Sequence, residues 1–139
     1  MALSAAIDRP HYVDTELREL PVVANAVIYR GALLSIRSSG YVGPLVAGEQ
    51  FAGIAYSSVD ATGAASGAKQ VKAYVQGDFE VPLASAAVTD LGDALYGTAD
   101  DATSKTLTSN TYIGVIVGYV SSTVVIVRIN DAFGRIAVP

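Results

Sequence analysis

The 139-residue chain contains no cysteine and no tryptophan, and His11 is its single histidine. Without cysteine there is no disulfide framework, no thiolate nucleophile and no cysteine-liganded metal. One histidine near the N-terminus provides no basis for a Ser-His-Asp triad or a histidine metal site in the body of the chain. We therefore expect no enzyme activity, no catalytic residues and no cofactor.

Positive charge is scarce, because nine Lys and Arg stand against thirteen Asp and Glu, for a net charge of −4. A nucleic-acid partner needs a basic face, so none is expected. Long apolar runs are also missing: the longest, residues 112–120, is far shorter than the ~20 residues of a membrane-spanning helix. The N-terminus lacks the basic start and long apolar core of a secretory signal or a transit peptide, so neither is expected.

Alternating apolar residues in short segments predict an all-β fold. Val71, Ala73 and Val75 alternate with polar neighbours, and the alternation resumes after Gly77, which predicts one strand continuing through a bulge. Pro82 should end it, since proline cannot donate to a sheet ladder. Further strands are predicted at residues 22–29, 32–36, 51–56, 94–96, 112–119 and 123–129, the last two joined by a tight turn near Ser121 and Ser122. Residues 57–69 are predicted as a mobile loop tip.

The chain also contains an internal repeat. Gly31 and Gly92 each precede a short aliphatic strand, and Gly53 and Gly114 each lie inside a strand. The sequence interval from Gly31 to Gly92 equals that from Gly53 to Gly114, and it is called the repeat interval here. The third strand repeats as VKAYV and VIVRI at a shorter interval. These intervals predict a small β-barrel or sandwich built from two related three-strand halves.

Residues 1–20 are predicted as an extended, charged N-terminal arm, followed by the β-domain at residues 21–130 and a C-terminal tail at residues 131–139. Asp14 is expected to cap a short helical turn over residues 15–20. Two interpretations of the arm stay open: a disordered terminus, or a segment that is mobile in the free protein and orders on a partner. The apolar residues that would dock are Leu3, Ile7, Tyr12, Val13 and Leu17.

Four carboxylates lie close together in the sequence: Asp90, Asp93, Asp100 and Asp101. They could hold a calcium ion or act as an acid and base pair. Their spacing matches no calcium loop, however, and aspartate is frequent in turns, so turns are the favoured interpretation.

Six short motifs follow one another along the chain: Arg30-Gly31-Ala32-Leu33, Gly53-Ile54-Ala55, V-x-G-x-F-x-x-P at residues 75–82, Gly92-Asp93-Ala94-Leu95-Tyr96, Ile-Gly-Val at residues 113–115 and Val-Arg-Ile at residues 127–129. Together they resemble a family of small phage head proteins, the capsid decoration or cement proteins, over about residues 26–129. The resemblance implies a structural protein on the outer surface of the virion capsid that binds the major capsid protein and stabilises the contacts between its subunits. It also implies self-association as a homotrimer, and no catalytic residues.

Two other classes compete with this interpretation. A carbohydrate-binding or adhesin-type β-module on the virion or cell surface would usually carry a tryptophan platform, and the chain has none. A small hydrolase or lyase on a β-barrel would need a convergent polar site, which the sequence does not reveal.

Overall fold

The computed structural model describes residues 2–9 and 16–129, and this part of the chain is built from strands. They are β1 Glu16–Pro21, β2 Val27–Ile28, β3 Leu33–Ile36, β4 Val42–Pro44, β5 Gln50–Ala55, β6 Val59–Asp60, β7 Gln70–Pro82, β8 Ala94–Ala99, β9 Ala102–Ser104, β10 Thr111–Ser121 and β11 Val124–Ile129. One 3₁₀ turn, Val88–Asp90, precedes β8. Within the described ranges there is no helix long and apolar enough to cross a membrane.

One large sheet holds nine of the strands, in the order β4-β3-β5-β7-β11-β10-β8-β9, with β1 also paired to β7. The sheet curls into a half-barrel. Strands β2 and β6 form a separate two-stranded ribbon. The all-β barrel-like fold predicted from the sequence is confirmed.

Strand β7 is the longest and joins the two parts of the sheet. Residues 70–76 pair with β1, and residues 77–82 pair with β11. The change of partner falls at Gly77, whose φ of 140° is one that side chains rarely adopt. The prediction of a single strand that passes through Gly77 and ends at Pro82 is confirmed.

The hydrogen bonds around the strand openings repeat in the two halves. The amide of Gly31 donates to the carbonyl of Ala55 at 2.9 Å, and the amide of Gly92 donates to the carbonyl of Ile116 at 2.8 Å. The donor and the acceptor of the second hydrogen bond each lie one repeat interval after those of the first. The two glycines also share a left-handed backbone, with φ values of 92° and 90°.

The strand registers repeat as well. Leu34 lies opposite Gly53 in the β3–β5 pair, and Leu95 lies opposite Gly114 in the β8–β10 pair. A register shift follows at the same step in both pairs. The prediction of two related halves is therefore confirmed by their backbone pairing.

The two halves share four matching strands, one more than the sequence predicted: β3, β4, β5 and β7 match β8, β9, β10 and β11. The pairing of Ser35 with Gly43 in β3–β4 recurs, displaced by the repeat interval, as the pairing of Tyr96 with Ser104 in β8–β9. Strands β4 and β9 are three residues long, too short to show alternation. Strands β4 and β9 form the two ends of the sheet. Moving inward from either end, the reader meets matching strands of the two halves, and β7 and β11 meet in the middle.

The main core cluster lies between the halves and draws on different faces of them. Its matching members are Leu33, Phe51 and Ile54 in the first half, and Leu95, Ile113 and Ile116 in the second. The sequence separation between the two members of each match is one residue longer than the repeat interval. Because neighbouring side chains of a strand point to opposite faces, the halves pack with opposite faces toward each other.

A second core cluster covers the outer face of the first half. Its sheet residues, including Leu34, Ala52 and Ala73, form one buried cluster with Leu20 of β1 and Ala61 of the 57–69 loop. The loop is therefore anchored through its middle, where Ala61 is fully buried. The segment predicted as a loop also contains a short strand, β6, and its mobility stays a prediction.

Two further local predictions are wrong. Residues 16–20 form strand β1 and not a helical turn, because pairing with β7 satisfies their backbone groups. The strand predicted over residues 22–29 is broken by a turn at Asn25, whose φ is 63°. In contrast, the tight turn between β10 and β11 is confirmed, and it consists of Ser122 and Thr123.

Candidate functional site

Residues 2–9 lie along the surface of both halves and are called the strap here. Leu3 is half-buried and packs against the second core cluster. Its amide donates to Asp100 Oδ1 at 2.9 Å. At the other end, Asp8 forms an ion pair with Arg30 at 2.8 Å, between exposed side chains. The strap is therefore attached to the body of the protein.

The strap passes directly over Gly31. The amide of Ile7 donates to the carbonyl of Arg30 at 2.6 Å, and Arg9 Nε donates to the carbonyl of Gly31 at 2.6 Å. A Cβ atom on Gly31 would collide with the carbonyl of Ile7. Glycine is thus required here both for its left-handed φ and for the close approach of the strap.

Arg9 anchors the strap in a partly buried position. Burial lowers the pKa of its guanidinium, while the carboxylates of Asp101 and Asp100 act in the opposite direction. Burial raises the pKa of Asp100, and the hydrogen bond from the Leu3 amide partly offsets that rise. Arg9 Nη2 and Asp101 Oδ1 are buried without a hydrogen-bond partner among the described residues.

A cleft of about 430 Å³ separates the strap from the sheet. Aromatic side chains form its wall: the rings of Tyr56 and Tyr74 meet edge to face at 5.4 Å, and those of Tyr74 and Phe79 lie 4.9 Å apart. Burial raises the pKa of the Tyr74 hydroxyl, and Tyr56 adds to the shift. Leu17 of β1 lies directly opposite Tyr74 in the ladder, and 43% of its surface is exposed.

The structure divides the five predicted contact residues. Leu3 and Ile7 are half-buried on the strap, and Leu17 is exposed on β1. Tyr12 and Val13 lie outside the described residues. The backbone bonds, the packing of Leu3 and its hydrogen bond to Asp100 hold residues 2–9 against both halves. Whether the arm is mobile in the free protein stays a prediction. The role of all five residues in a contact stays a prediction.

The aspartates singled out in the sequence do not converge. Asp90 is buried, accepts a hydrogen bond from the Ala87 amide, and pairs with Lys105, which also lies 3.7 Å from Asp93. Asp100 holds the strap instead. In the parts of the chain that the structure describes, no group of three or more His, Asp or Glu is arranged to hold a metal ion.

A set of exposed apolar residues was missed by the sequence analysis. It lies on β10 and the segment before β8 and consists of Val88, Leu91, Val117, Tyr119 and Val120. The two segments run side by side, since the amides of Gly92 and Ala86 donate to the carbonyls of Ile116 and Ser122. One signal was present in the sequence: residues 111–127 contain no charged side chain.

These features define an all-β domain whose described surface offers an attached strap and an uncharged apolar area, which suits a protein that works by contact. The sequence profile of the phage cement protein family matches residues 13–130. The chain belongs to this family and is a capsid-associated structural component of a phage virion. Comparison with curated proteins and with solved structures gave no significant match.

Proposed function

We propose that the protein decorates the outer surface of the phage head, where it binds the major capsid protein and stabilises the contacts between capsid subunits. The observation that carries the proposal is the family match, which covers the whole β-domain. A role by contact, without catalysis, agrees with a chain that lacks cysteine and has one histidine.

Attachment is assigned to the N-terminal region that contains Leu3, Ile7, Tyr12, Val13 and Leu17. Leu17 is the member of this set with the largest exposed surface among the described residues. It lies opposite Tyr74 in the ladder, and the ring of Tyr74 contacts that of Tyr56. An exposed leucine beside tyrosines is the composition of an interface core, where aromatic residues are enriched and charge is depleted. Among the described strands β1, which carries Leu17, pairs with β7 alone, so its other edge can accept a partner strand.

Self-association as a homotrimer is part of the proposal. Capsid lattices present threefold positions, and a trimeric protein contacts several capsid subunits at once, so its binding benefits from multivalency. The high apolar share of the chain, 51%, supports an interface between copies.

Titration onto expanded heads that lack the protein tests this function. We expect saturable binding and heads that resist heating better after decoration. Replacing Leu17 by aspartate should weaken binding about tenfold, or about 1.4 kcal/mol. Leu107→Asp is the matched control, because Leu107 is a similarly exposed leucine far from the strap in the sequence. Heads that neither bind the wild-type protein nor gain stability from it would refute the proposal.

A further inference from the structure

The repeat also includes the first strand of each half. The Glu-Leu-Pro sequence that ends β1 recurs one repeat interval later as the Glu-Val-Pro that ends β7. The pairing recurs with it, because Leu20 lies opposite Val71 and its equivalent Val81 lies opposite Val125. Residues 77–82 therefore serve the second half as its first strand, in the way that β1 serves the first half.

Strand β1 is buried far less than its equivalent. Of the six residues of β1, Leu20 alone is buried, whereas four of residues 77–82 are buried. Arg18 of β1 stands where the second half has Phe79, which is fully buried in the main core cluster. The Arg18 guanidinium is exposed and pairs with Glu16 of the same strand at 2.9 Å, and an exposed ion pair contributes little to stability. The first half therefore holds its first strand weakly.

The C-terminal tail carries a second sequence suited to this position. Residues 77–82 read G-x-F-x-V-P, and residues 134–139 read G-x-I-x-V-P. The dipeptide Val-Pro occurs in the sequence at these two places alone. The tail has an apolar residue, Ile136, where β1 has Arg18. It therefore resembles the buried first strand of the second half more closely than β1 does.

The end of β11 lies on the same edge of β7 as the start of β1. Because β1 and β5 both pair with residues 73–74 of β7, they lie on opposite edges of it. The sheet order places β11 on the edge away from β5, which is the edge of β1. Both β1 and β11 run antiparallel to β7: Ile129 at the end of β11 lies opposite Gly77, and Glu16 at the start of β1 lies opposite the adjacent Gln76. A chain that continues β11 along this edge therefore enters the position of β1.

We infer that residues 134–139 bind along residues 70–75 of β7 in place of β1 of the same chain, so that the N-terminal arm and the C-terminal tail exchange at one sheet edge. Residues 130–133 are long enough to link Ile129 to the new strand, since they have only one step along the edge to cross and an extended residue covers about 3.3 Å. The added strand satisfies the edge of β7 by the same backbone pairing as β1.

The exchange replaces like with like inside the first half and releases the arm. Val138 takes the place of Leu20, so the second core cluster keeps an apolar residue at this point. Strand β1 leaves the sheet together with Leu17, which the proposed function assigns to the capsid contact. This use of the released strand rests on the proposed function, whereas the exchange itself does not.

Disulfide trapping in the purified full-length protein tests the exchange, and it needs no heads. The chain has no cysteine, so pairs of thiols can be introduced freely. Lys72 of β7 is exposed and lies opposite Glu19 of β1, whose place Ala137 takes after the exchange. Lys72→Cys is therefore combined with Ala137→Cys to report the tail, with Glu19→Cys to report β1, and with Ala132→Cys as the control. Ala132 is an alanine of the same tail that lies outside the repeated motif.

In a glutathione buffer, the disulfide between positions 72 and 137 should be about tenfold more favourable than that between 72 and 132, because binding raises the effective concentration of the paired thiol. Leu20→Ala should increase the 72–137 disulfide and Val138→Ala should decrease it, since the two strands compete for one edge. Equal yields at 137 and 132, or no response to Leu20→Ala while the 72–19 pair still forms, would overturn the exchange.

The size of the disulfide product separates the remaining alternative. A 72–137 disulfide within one chain supports the exchange, whereas one between two chains, seen as a dimer on a non-reducing gel, would assign the tail to a neighbouring copy and overturn it. Binding to heads is measured separately, so a failure of the exchange leaves the proposed decoration standing.

Discussion

Gly114 lies against the main-chain carbonyl of Arg128 so closely that no Cβ atom would fit between the two strands. The same contact occurs in the first half, between Gly53 and the carbonyl of Tyr74. The glycines are separated by the repeat interval, and the carbonyls by the shorter interval at which the third strand repeats. The repeat therefore preserves a specific approach of two strands, and glycine is required at both places because of it.

Replacing Gly114 by alanine should destabilise the protein by about 3 kcal/mol, since strands β10 and β11 would have to move apart. Gly40→Ala is the control, because Gly40 has a φ of 90° and open space around it. There only backbone strain applies, at about 1 kcal/mol. Denaturant unfolding gives both values, and a Gly114→Ala variant as stable as Gly40→Ala would show that the strands are not in close contact.

The strap can be tested with the two equivalent glycines. Gly31→Ala and Gly92→Ala carry the same backbone strain, but only the first displaces Ile7. We expect Gly31→Ala to cost about 2 kcal/mol more, the scale of losing two half-buried apolar side chains and their hydrogen bonds.

Deleting residues 2–9 provides the control for that comparison. In the truncated protein the two alanine variants should be equally stable, because the group that collides with position 31 is gone. A difference that persists without the strap would contradict the placement of Ile7.

Thr111 links the two halves through its buried hydroxyl. Its Oγ1 accepts from the Gly48 amide at 3.0 Å and donates to the Glu49 carbonyl at 2.6 Å. Thr111→Val keeps the shape but leaves these groups unpaired, so we expect a loss of about 2 kcal/mol in unfolding free energy. Thr123→Val, at the exposed β10–β11 turn, should change stability by less than about 0.5 kcal/mol. Equal effects would show that the hydroxyl of Thr111 does not join the halves.

Acid should weaken the segment before β8 through Asp90. The hydrogen bond from Lys105, followed by that from the Ala87 amide, lowers the pKa of this carboxyl below its ordinary value of 3.8. A lowered pKa stabilises the folded state above pH 3.8, and this contribution disappears as pH falls from 3.8 through the lower folded value. Thermal midpoints should therefore fall more steeply below pH 3.8 for the wild type than for Asp90→Asn. Parallel curves for the two proteins would contradict this prediction.

The features that the sequence predicted are those that repeat or alternate. Gly31 and Gly53, together with their partners one repeat interval further on, revealed the two halves, since glycines required by backbone geometry are retained at fixed spacing. The alternation around Gly77 likewise identified the long central strand. Local pattern was sufficient in these cases because the same residues determine both the local conformation and the burial.

The missed features depend on contacts between distant segments. Asp14 suggested a helix cap, but pairing with β7 made residues 16–21 a strand, an outcome that local propensity does not indicate. Strands β4 and β9 are too short to alternate. The exposed apolar residues on β10 and before β8 were missed because the apolar residues of β10 look alike in the sequence whether they are buried, as Ile116 is, or exposed, as Val117 is.

Quantitative mass spectrometry of purified virions is the most direct test of the central claim that the protein is a structural component of the phage head. A cement protein that occupies the capsid lattice should be present in a fixed, high ratio to the major capsid protein, and the ratio should be the same in independent preparations. Absence from washed virions, or a few copies per particle, would contradict the account.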